Sequence, residues 1–449
     1  MAAARSLWGA GFAAVSLAAL SLLAPWTPTY DPWAWLVWGR EVGSLELDTT
    51  AGPAWKPLPV LVTTALAPLG DTAPAFWLVL ARAGGLLAVV FAFRLAARLA
   101  GGPGRWFAGA VAALGLLATV GFLRGVAGGS SEGLLVALVL LAAERHLDDR
   151  RPQAFGLGVL AALLRPEVWP FLVGYAVWLW LRGPDSRRLV AAGLAVVPVL
   201  WLAPELWGSG DLLRSSERAQ VSNPGQPALA ERPALEVVEG FVTMVPLPIL
   251  LLGLGATALA LVRRERTVLF LASAVSIWVL IVAVMAEAGF SGEDRYLLAA
   301  AAFTAVLGGL GAGRLYGATV PLAPRAVAPV GALLLAAAVA LSLPSARRLG
   351  DELAYAAELR TDLAAAVERA GGRERLRSCG PLYAGRYRFP LVAWHLRAHI
   401  SDLSMIPSAP GVVFRSKLTP TEPVSPPLPA GFELLADEGA WEVHAACDA

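Results

Sequence analysis

The chain has 449 residues, of which 57% are hydrophobic and 16% charged, with a mean hydropathy of +0.62. Soluble domains carry roughly a quarter charged residues, so this composition excludes an ordinary soluble protein. A net charge of +2 and the lack of a basic cluster or stacking platform exclude nucleic-acid binding.

Apolar runs of about twenty residues recur along the chain, the length a helix needs to cross a bilayer. They predict an α-helical polytopic membrane protein with about eleven spans, near 7–25, 74–93, 106–123, 127–144, 153–164, 167–181, 189–204, 241–262, 267–287, 296–313 and 326–343. Arg5 and the apolar run to Leu23 look like a signal peptide. Ala24-Pro25-Trp26 is a poor cleavage site, however, so the run is read as an uncleaved first span. Arginines fall in alternate loops: Arg94, Arg98 and Arg105; Arg145, Arg150 and Arg151; Arg182, Arg187 and Arg188; Arg263, Arg264 and Arg266; Arg314 and Arg325. The positive-inside rule puts these loops in the cytoplasm and both the opposite loops and the C-terminus outside. Lys56 and Lys417 are the only lysines, in a chain rich in Arg, Ala, Gly and Pro, a high-GC coding bias of the actinobacterial type.

The first outer loop, 26–73, interrupts this apolar pattern. In "YDPWAWLVWGREV", Trp35, Trp38 and Val42 share a helical face and Arg40 and Glu41 point away, which predicts a surface helix with an aromatic belt. Asp31 before Pro32 reads as an N-cap followed by proline at the first helical position. Lys56 then lies between Trp55 and Pro57 where the chain returns to the membrane. Three further clusters fall on the same face. "RGVAGGSSEGLL" sets Arg124, Ser130, Ser131 and Glu132 at the start of the fourth span, with a glycine-rich turn suited to phosphate. "LLRPEVW" flanks Pro166 with Arg165 and Glu167, and "GEDRYLL" opens the tenth span with Glu293, Asp294 and Arg295. Charges so near hydrocarbon are costly unless paired or used. Together the clusters predict an outward polar cavity beneath a Trp-rich lid, and the polar loop 208–240 reads equally as an acceptor-binding lid or a connector.

From Pro344 the composition changes. "DELAYAAELRTDLAAAVERA" has helical spacing with charges, and short apolar pieces with turn signals follow. We read 1–343 as the transmembrane domain and 344–449 as a small extracytoplasmic α+β domain. Cys379 and Cys447 both lie in this tail, which predicts one disulfide. His395 and His399 have the spacing of a metal pair without a third ligand and read as a surface pair. Asp148 and Asp149 read as solvated.

The chemistry that fits is transfer of a sugar from a lipid-linked phosphate. It needs a groove open to lipid, cations on the phosphate leaving group, and a carboxylate to take the acceptor's proton. Lys56, Arg165 and Arg295 are the candidate phosphate ligands. Trp35, Arg40, Trp55, Glu132, Glu167 and Asp294 are candidate substrate contacts. A transporter or lipid-sugar flippase would also have an outward polar cavity, but neither an inverted repeat nor mid-span charges stand out. A scaffold would have no need for these charges to converge.

The arrangement resembles the GT-C superfamily of membrane glycosyltransferases, particularly polyprenyl-phosphate-sugar-dependent members such as mycobacterial arabinofuranosyl- and mannosyltransferases. "YDPWAWLVWGREV", "KPLPVL", the stretch from "GGSSEGLL" to "LLRPEVWPFL", and "EDRYLL" carry the likeness over about 25–315. The resemblance implies a glycosyltransferase acting on a cell-envelope glycan, lipid or protein, with Asp31 as the catalytic base of an inverting displacement. Many members have two adjacent acids in this loop, which here has only Asp31 beside Pro32. Glu41 or Asp48 could supply the second acid if the loop folds back, and a divalent cation, Mg2+ or Mn2+, could then assist.

Overall fold

The computed structural model describes residues 2–320 and 324–447. Of the arginines counted above, Arg5 and Arg325 lie outside the described side chains. The chain opens with α1 (Ala2–Leu20), the surface helix α2 (Tyr30–Ser44) and α3 (Pro57–Leu66). The helices α4 (Ala73–Ala100), α5 (Arg105–Leu117), α6 (Phe122–Ala127) and α7 (Glu132–Leu147) follow. Next come α8 (Arg151–Ala162), α9 (Trp169–Arg182), α10 (Arg187–Ser209) and α11 (Arg214–Gln220). The helical part ends with α12 (Pro233–Met244), α13 (Leu247–Arg263), α14 (Arg266–Glu287), α15 (Leu298–Thr319) and α16 (Pro324–Arg369).

Among the described residues, four segments are long and apolar enough to cross a bilayer: Pro57–Ala100, Pro184–Ser209, Arg266–Glu287 and Asp294–Thr319. The expected span at 241–262 is a bent pair instead, because α12 and α13 meet at 102°. Pro246 and Pro248 lack the amides that a continuous helix would need there. The break expected at Arg165-Pro166 is present: Arg165 is extended, as a residue before proline prefers, and Pro166 begins a tight helical turn. Helix α15 is the hub of the bundle, buried almost throughout against α4, α5 and α13. Its small residues allow this. A methyl at Gly309 would collide with the Ala108 carbonyl of α5, and one at Gly311 with the Leu252 carbonyl of α13.

Helix α2 differs from expectation in two ways. It starts at Tyr30 with Thr29 as N-cap, so Asp31 lies inside the first turn and caps nothing. Its tryptophans also face protein on every side: Trp35 meets Trp77 of α4, Trp38 meets Trp55, and Trp33 meets Trp394 of the C-terminal domain. The amphipathic pattern is real, but a second protein layer covers the face assigned to solvent. Glu41 is therefore buried rather than pointing away.

That layer is the C-terminal domain. Helix α16 runs without a break through the expected boundary at 343/344, and its distal half packs on the domain's sheet. The domain adds α17 (Gly372–Ser378), α18 (Phe389–Leu396) and the strands β1 (Leu382–Ala384), β2 (Leu403–Ser404), β3 (Gly411–Lys417), β4 (Val424–Ser425), β5 (Glu433–Glu438) and β6 (Trp441–Ala446). The sheet runs in the order β2-β1-β3-β6-β5, with β4 on β3. Strands β1, β2 and β3 are parallel and the other pairings antiparallel. The Trp441 indole N–H donates to the Leu359 carbonyl at 2.7 Å, tying the sheet to α16. Cys379 and Cys447 form the expected disulfide, with Cα atoms 4.7 Å apart.

Besides the Trp33–Trp394 contact, the domain docks on α2 through polar contacts. Arg40 donates to the Ala398 carbonyl at 2.7 Å, Ser401 donates to Asp48 at 2.6 Å, and the His399 ring meets Glu41 at 2.9 Å. The helix α18 ends at Leu396 and Arg397 turns left-handed, so His395 and His399 are neither a helical pair nor a surface pair. His395 packs on Trp33 and His399 bonds Glu41, and both face α2.

Burial drives the Glu41 carboxyl up to about 7, opposed by the Asp48 amide and the His399 ring. Between the ordinary carboxylate pKa and about 7, folded Glu41 keeps a proton that the unfolded chain has lost, so stability falls as pH rises. Thermal melts should therefore show a contribution from Glu41 that is largest below pH 4.5 and gone above about pH 7. Glu41→Gln should flatten that slope. The same slope in wild type and variant would remove Glu41 as its source.

Candidate active site

A cavity of about 720 Å³ opens where the first turn of α2, Trp55-Lys56, the 165–169 turn, α11, the 290–296 turn and residues 386–387 meet. Local backbone rules place the key side chains. Asp31 projects from the first turn of α2, and Lys56 is the extended residue before the proline-led start of α3. Arg165 and Glu167 bracket Pro166, and Arg295 lies in a tight helical turn ahead of α15.

All four residues of the predicted charge site line this cavity: Asp31, Lys56, Arg165 and Arg295. Arg295 Nη1 donates to Asp31 Oδ2 at 2.8 Å, while its Nε faces Glu293. Lys56 Nζ lies 3.2 Å from Ser131 Oγ and 3.5 Å from Glu132 Oε1. Arg165 shares the same Glu132 oxygen and stands 3.7 Å from Glu167. The Tyr296 ring lies 4.2 Å from the Arg165 guanidinium and 5.6 Å from that of Arg295, beside both cations. Burial alone would raise the Asp31 carboxyl, but the Arg295 and Lys56 charges outweigh it and hold Asp31 below its usual value. Burial, with repulsion from Arg165, takes the Lys56 ammonium down to about 8.

The other candidates divide. Trp55 and Glu167 line the cavity. Glu132 is buried beneath it as the shared counter-ion of Lys56 and Arg165. Ser131, the residue before α7, makes no capping bond and instead meets Lys56. Trp35 lies underneath, with its ring 5.1 Å from Lys56 Nζ. Arg40 points to the C-terminal domain, and Asp294 is exposed beside Gly240 of α12. Neither lines the cavity, and Arg124 pairs with Glu352 outside it. Glu41 and Asp48, the suggested second acids, are engaged by His399 and Ser401 away from Asp31. The second carboxylate on Arg295 is Glu293, one position from the residue selected by sequence.

Sequence reasoning also missed Tyr30, Arg218 of α11, and Arg386 and Tyr387 of the C-terminal domain. Tyr30 and Tyr387 meet edge to face at 6.4 Å, so the tail forms part of the cavity wall. Nothing in "YAGRYRFP" signals this, since the contact depends on how the domain docks.

Among the described residues no group of three or more His, Cys, Asp or Glu side chains could hold a metal. Asp31 and Glu293 are both engaged by Arg295, with Lys56 and Arg165 nearby.

The 208–232 loop is held in place. Glu205, fully buried near the end of α10, accepts from Thr49 Oγ1 at 2.8 Å and from Ser215, and lies 3.8 Å from Arg214. Ser215 Oγ also takes the Trp55 amide at 2.7 Å, one residue from Lys56. Arg214 and Arg218 donate to the Gly52 carbonyl at 3.1 Å each, which fixes α11 over the first loop. Removing Glu205 would leave buried hydroxyls unpaired, at a cost of about 1–3 kcal/mol. Glu205→Ala should thus speed trypsin cleavage after Arg214 and Arg218 by roughly tenfold or more. Cleavage at the wild-type rate would mean that Glu205 does not hold the loop.

No family model matches the sequence, and no curated protein matches it significantly. Two solved structures are similar over nearly its whole length. ArnT from Cupriavidus metallidurans bound to undecaprenyl phosphate is 14% identical with a TM-score of 0.57, covering 98% of this chain and 98% of that one. The same protein in the apo state is 15% identical with a TM-score of 0.57, covering 99% and 98%. At this identity the likeness is one of fold, and it spans the helical bundle and the C-terminal domain together. The chain is an α-helical polytopic membrane protein with a GT-C-like fold and a small C-terminal α+β domain.

Proposed function

We propose that the protein is a membrane glycosyltransferase. It takes a sugar from a polyprenyl-phosphate donor and transfers it to a cell-envelope glycan, lipid or protein at the outer face of the cytoplasmic membrane. The observation that carries this reading is the convergence of Asp31 with Lys56, Arg165 and Arg295 on one cavity, with Asp31 directly on Arg295. The undecaprenyl phosphate in the ArnT crystal structure supports a polyprenyl phosphate as the donor's lipid half.

Without donor, each cation has a carboxylate partner: Arg295 has Asp31 and Glu293, and Lys56 and Arg165 share Glu132. The donor phosphate competes for these cations, and charge-assisted bonds from two arginines and a lysine hold it. Once Arg295 turns to phosphate, Asp31 loses the partner that depresses its basicity. It then accepts the proton of the acceptor hydroxyl. The hydroxyl oxygen bonds to the anomeric carbon as the bond from that carbon to the phosphate oxygen breaks. Polyprenyl phosphate leaves with both electrons, stabilised by the same cations. One base and a direct displacement invert the anomeric centre.

Two measurements on purified protein in lipid test this reading. Asp31→Asn should lower turnover with a polyprenyl-phosphate sugar by roughly 10²–10⁴. Because Asp31 competes with phosphate for Arg295, the same variant should bind polyprenyl phosphate tighter than wild type, by about 1 kcal/mol or more. Near wild-type turnover would remove Asp31 as base, and weaker binding would refute the competition. Separately, Arg295→Lys keeps the charge but loses the planar fork, and should weaken polyprenyl-phosphate binding by about 1–3 kcal/mol. Unchanged affinity would take Arg295 out of the phosphate site.

A further inference from the structure

A second concentration of positive charge lies outside the cavity. Arg373 and Arg377 on α17 and Arg397 after α18 line an open groove of about 750 Å³ together with Glu374 and Ser378. Arg377 Nη1 donates to the Arg397 carbonyl at 3.3 Å, which closes one side of it. Among the described residues no ion pair engages any of these three arginines, so Glu374 is the only carboxylate on the groove. Arg40 of α2 stands close by. Burial and then repulsion from Arg397, Arg377 and Arg373 hold its guanidinium below the usual value, with Glu41 opposing. Arg40 Nη2 is bonded to Ala398, but its Nη1 is buried without a partner. The unused buried donor of Arg40 costs free energy unless a partner completes it, and three guanidiniums without a carboxylate partner beside it favour an anion in that place.

The neighbouring surface indicates which anion. The same end of α2 carries Leu45, 78% exposed, and the turn leading into α4 carries Leu69, 43% exposed. That turn packs on the same end of α2, where a Cβ at Gly43 would lie 3.8 Å from Ala67, and Arg40 there bonds the Ala398 carbonyl next to Arg397 of the groove. Exposed leucines beside uncompensated arginines, on a protein whose helices cross a bilayer, suit a surface resting on headgroups. We propose that the groove between α17 and the turn after α18 binds the phosphodiester headgroup of an anionic phospholipid. Binding there holds the C-terminal domain on the bilayer surface beside the cavity. This site shares no lining residue with the cavity, so it stands or falls independently of the transferase reading.

The test uses the full chain in nanodiscs of dioleoylphosphatidylcholine and dioleoylphosphatidylglycerol, with retained lipid counted by native mass spectrometry. Wild type should retain phosphatidylglycerol preferentially. Arg373→Gln/Arg377→Gln removes two charges near the membrane surface and should cut the affinity behind that preference roughly thirtyfold. Arg373→Lys/Arg377→Lys should keep most of it. A photoreactive phosphatidylglycerol should label peptides within 372–400 in wild type and much less in the Gln variant, whatever that variant's stability. Equal retention by wild type and the Gln variant would overturn the proposal, as would labelling confined to other segments. Displacement of the lipid by millimolar inorganic phosphate would also overturn it, by showing a site for small oxyanions.

Discussion

The structure around the cavity depends on one constraint: a charge removed from water at the edge of a bilayer needs a partner. Lys56, Arg165, Glu132 and Glu167 are all buried, and each lies within 4 Å of an opposite charge. Asp31 and Glu293 close the same pattern around Arg295. The partners come from distant points in the chain: the first turn of α2, the start of α3, the start of α7, the 165–167 turn and the turn before α15. Satisfying the charges therefore brings those five segments together. Each has a helix start or a proline at that point, which frees its backbone to bend where the side chain must project.

The second dependency runs through α2. One side of this helix packs on α3, closely enough that a Cβ at Gly39 would collide with Thr63. Another face receives α18 and the 398–401 segment. A helix buried on both sides cannot move without moving one of these layers. Asp31 lies in its first turn, so the carboxylate is positioned by the membrane bundle and by the C-terminal domain at once. The second interface combines apolar packing of Trp33 on Trp394 with the polar contacts of Arg40, Glu41 and Asp48.

Much of this was legible in the sequence because it is local. Apolar runs located the helices, Arg165-Pro166 located a break, and the confinement of both cysteines to the tail pointed to their pairing. Four polar interruptions on one face supplied the charges that meet in the cavity. What escaped was set by tertiary contact. Glu293 and Asp294 are adjacent acids after a left-handed Gly292, and only the path of that turn decides which one faces Arg295. Arg40 and Glu41 appeared to be solvent-facing because the layer covering them lies more than 350 residues away. The bend at Pro246 and the continuity of α16 past residue 343 were not legible for a related reason: composition marks apolar length, not direction.

The balance of charge explains why the C-terminal domain belongs to the site. Lys56, Arg165 and Arg295 face Asp31, Glu132, Glu167 and Glu293, so this inner cluster holds no surplus positive charge with which to attract an anionic donor. The surplus comes from the rim. Arg218 reaches the cavity from the loop clamped by Glu205, and Arg386 from the C-terminal domain. Exposed rim charges steer an incoming anion, whereas buried paired cations exchange their partners only after it arrives. In the transferase reading the two tasks are thus divided by position. The membrane bundle supplies the contacts that hold phosphate during reaction, and the loop and tail supply the field that brings it there. A bundle stripped of its C-terminal domain would keep the inner cluster and Arg218, four cations against four carboxylates, and would face an anionic donor with no surplus positive charge to draw it in.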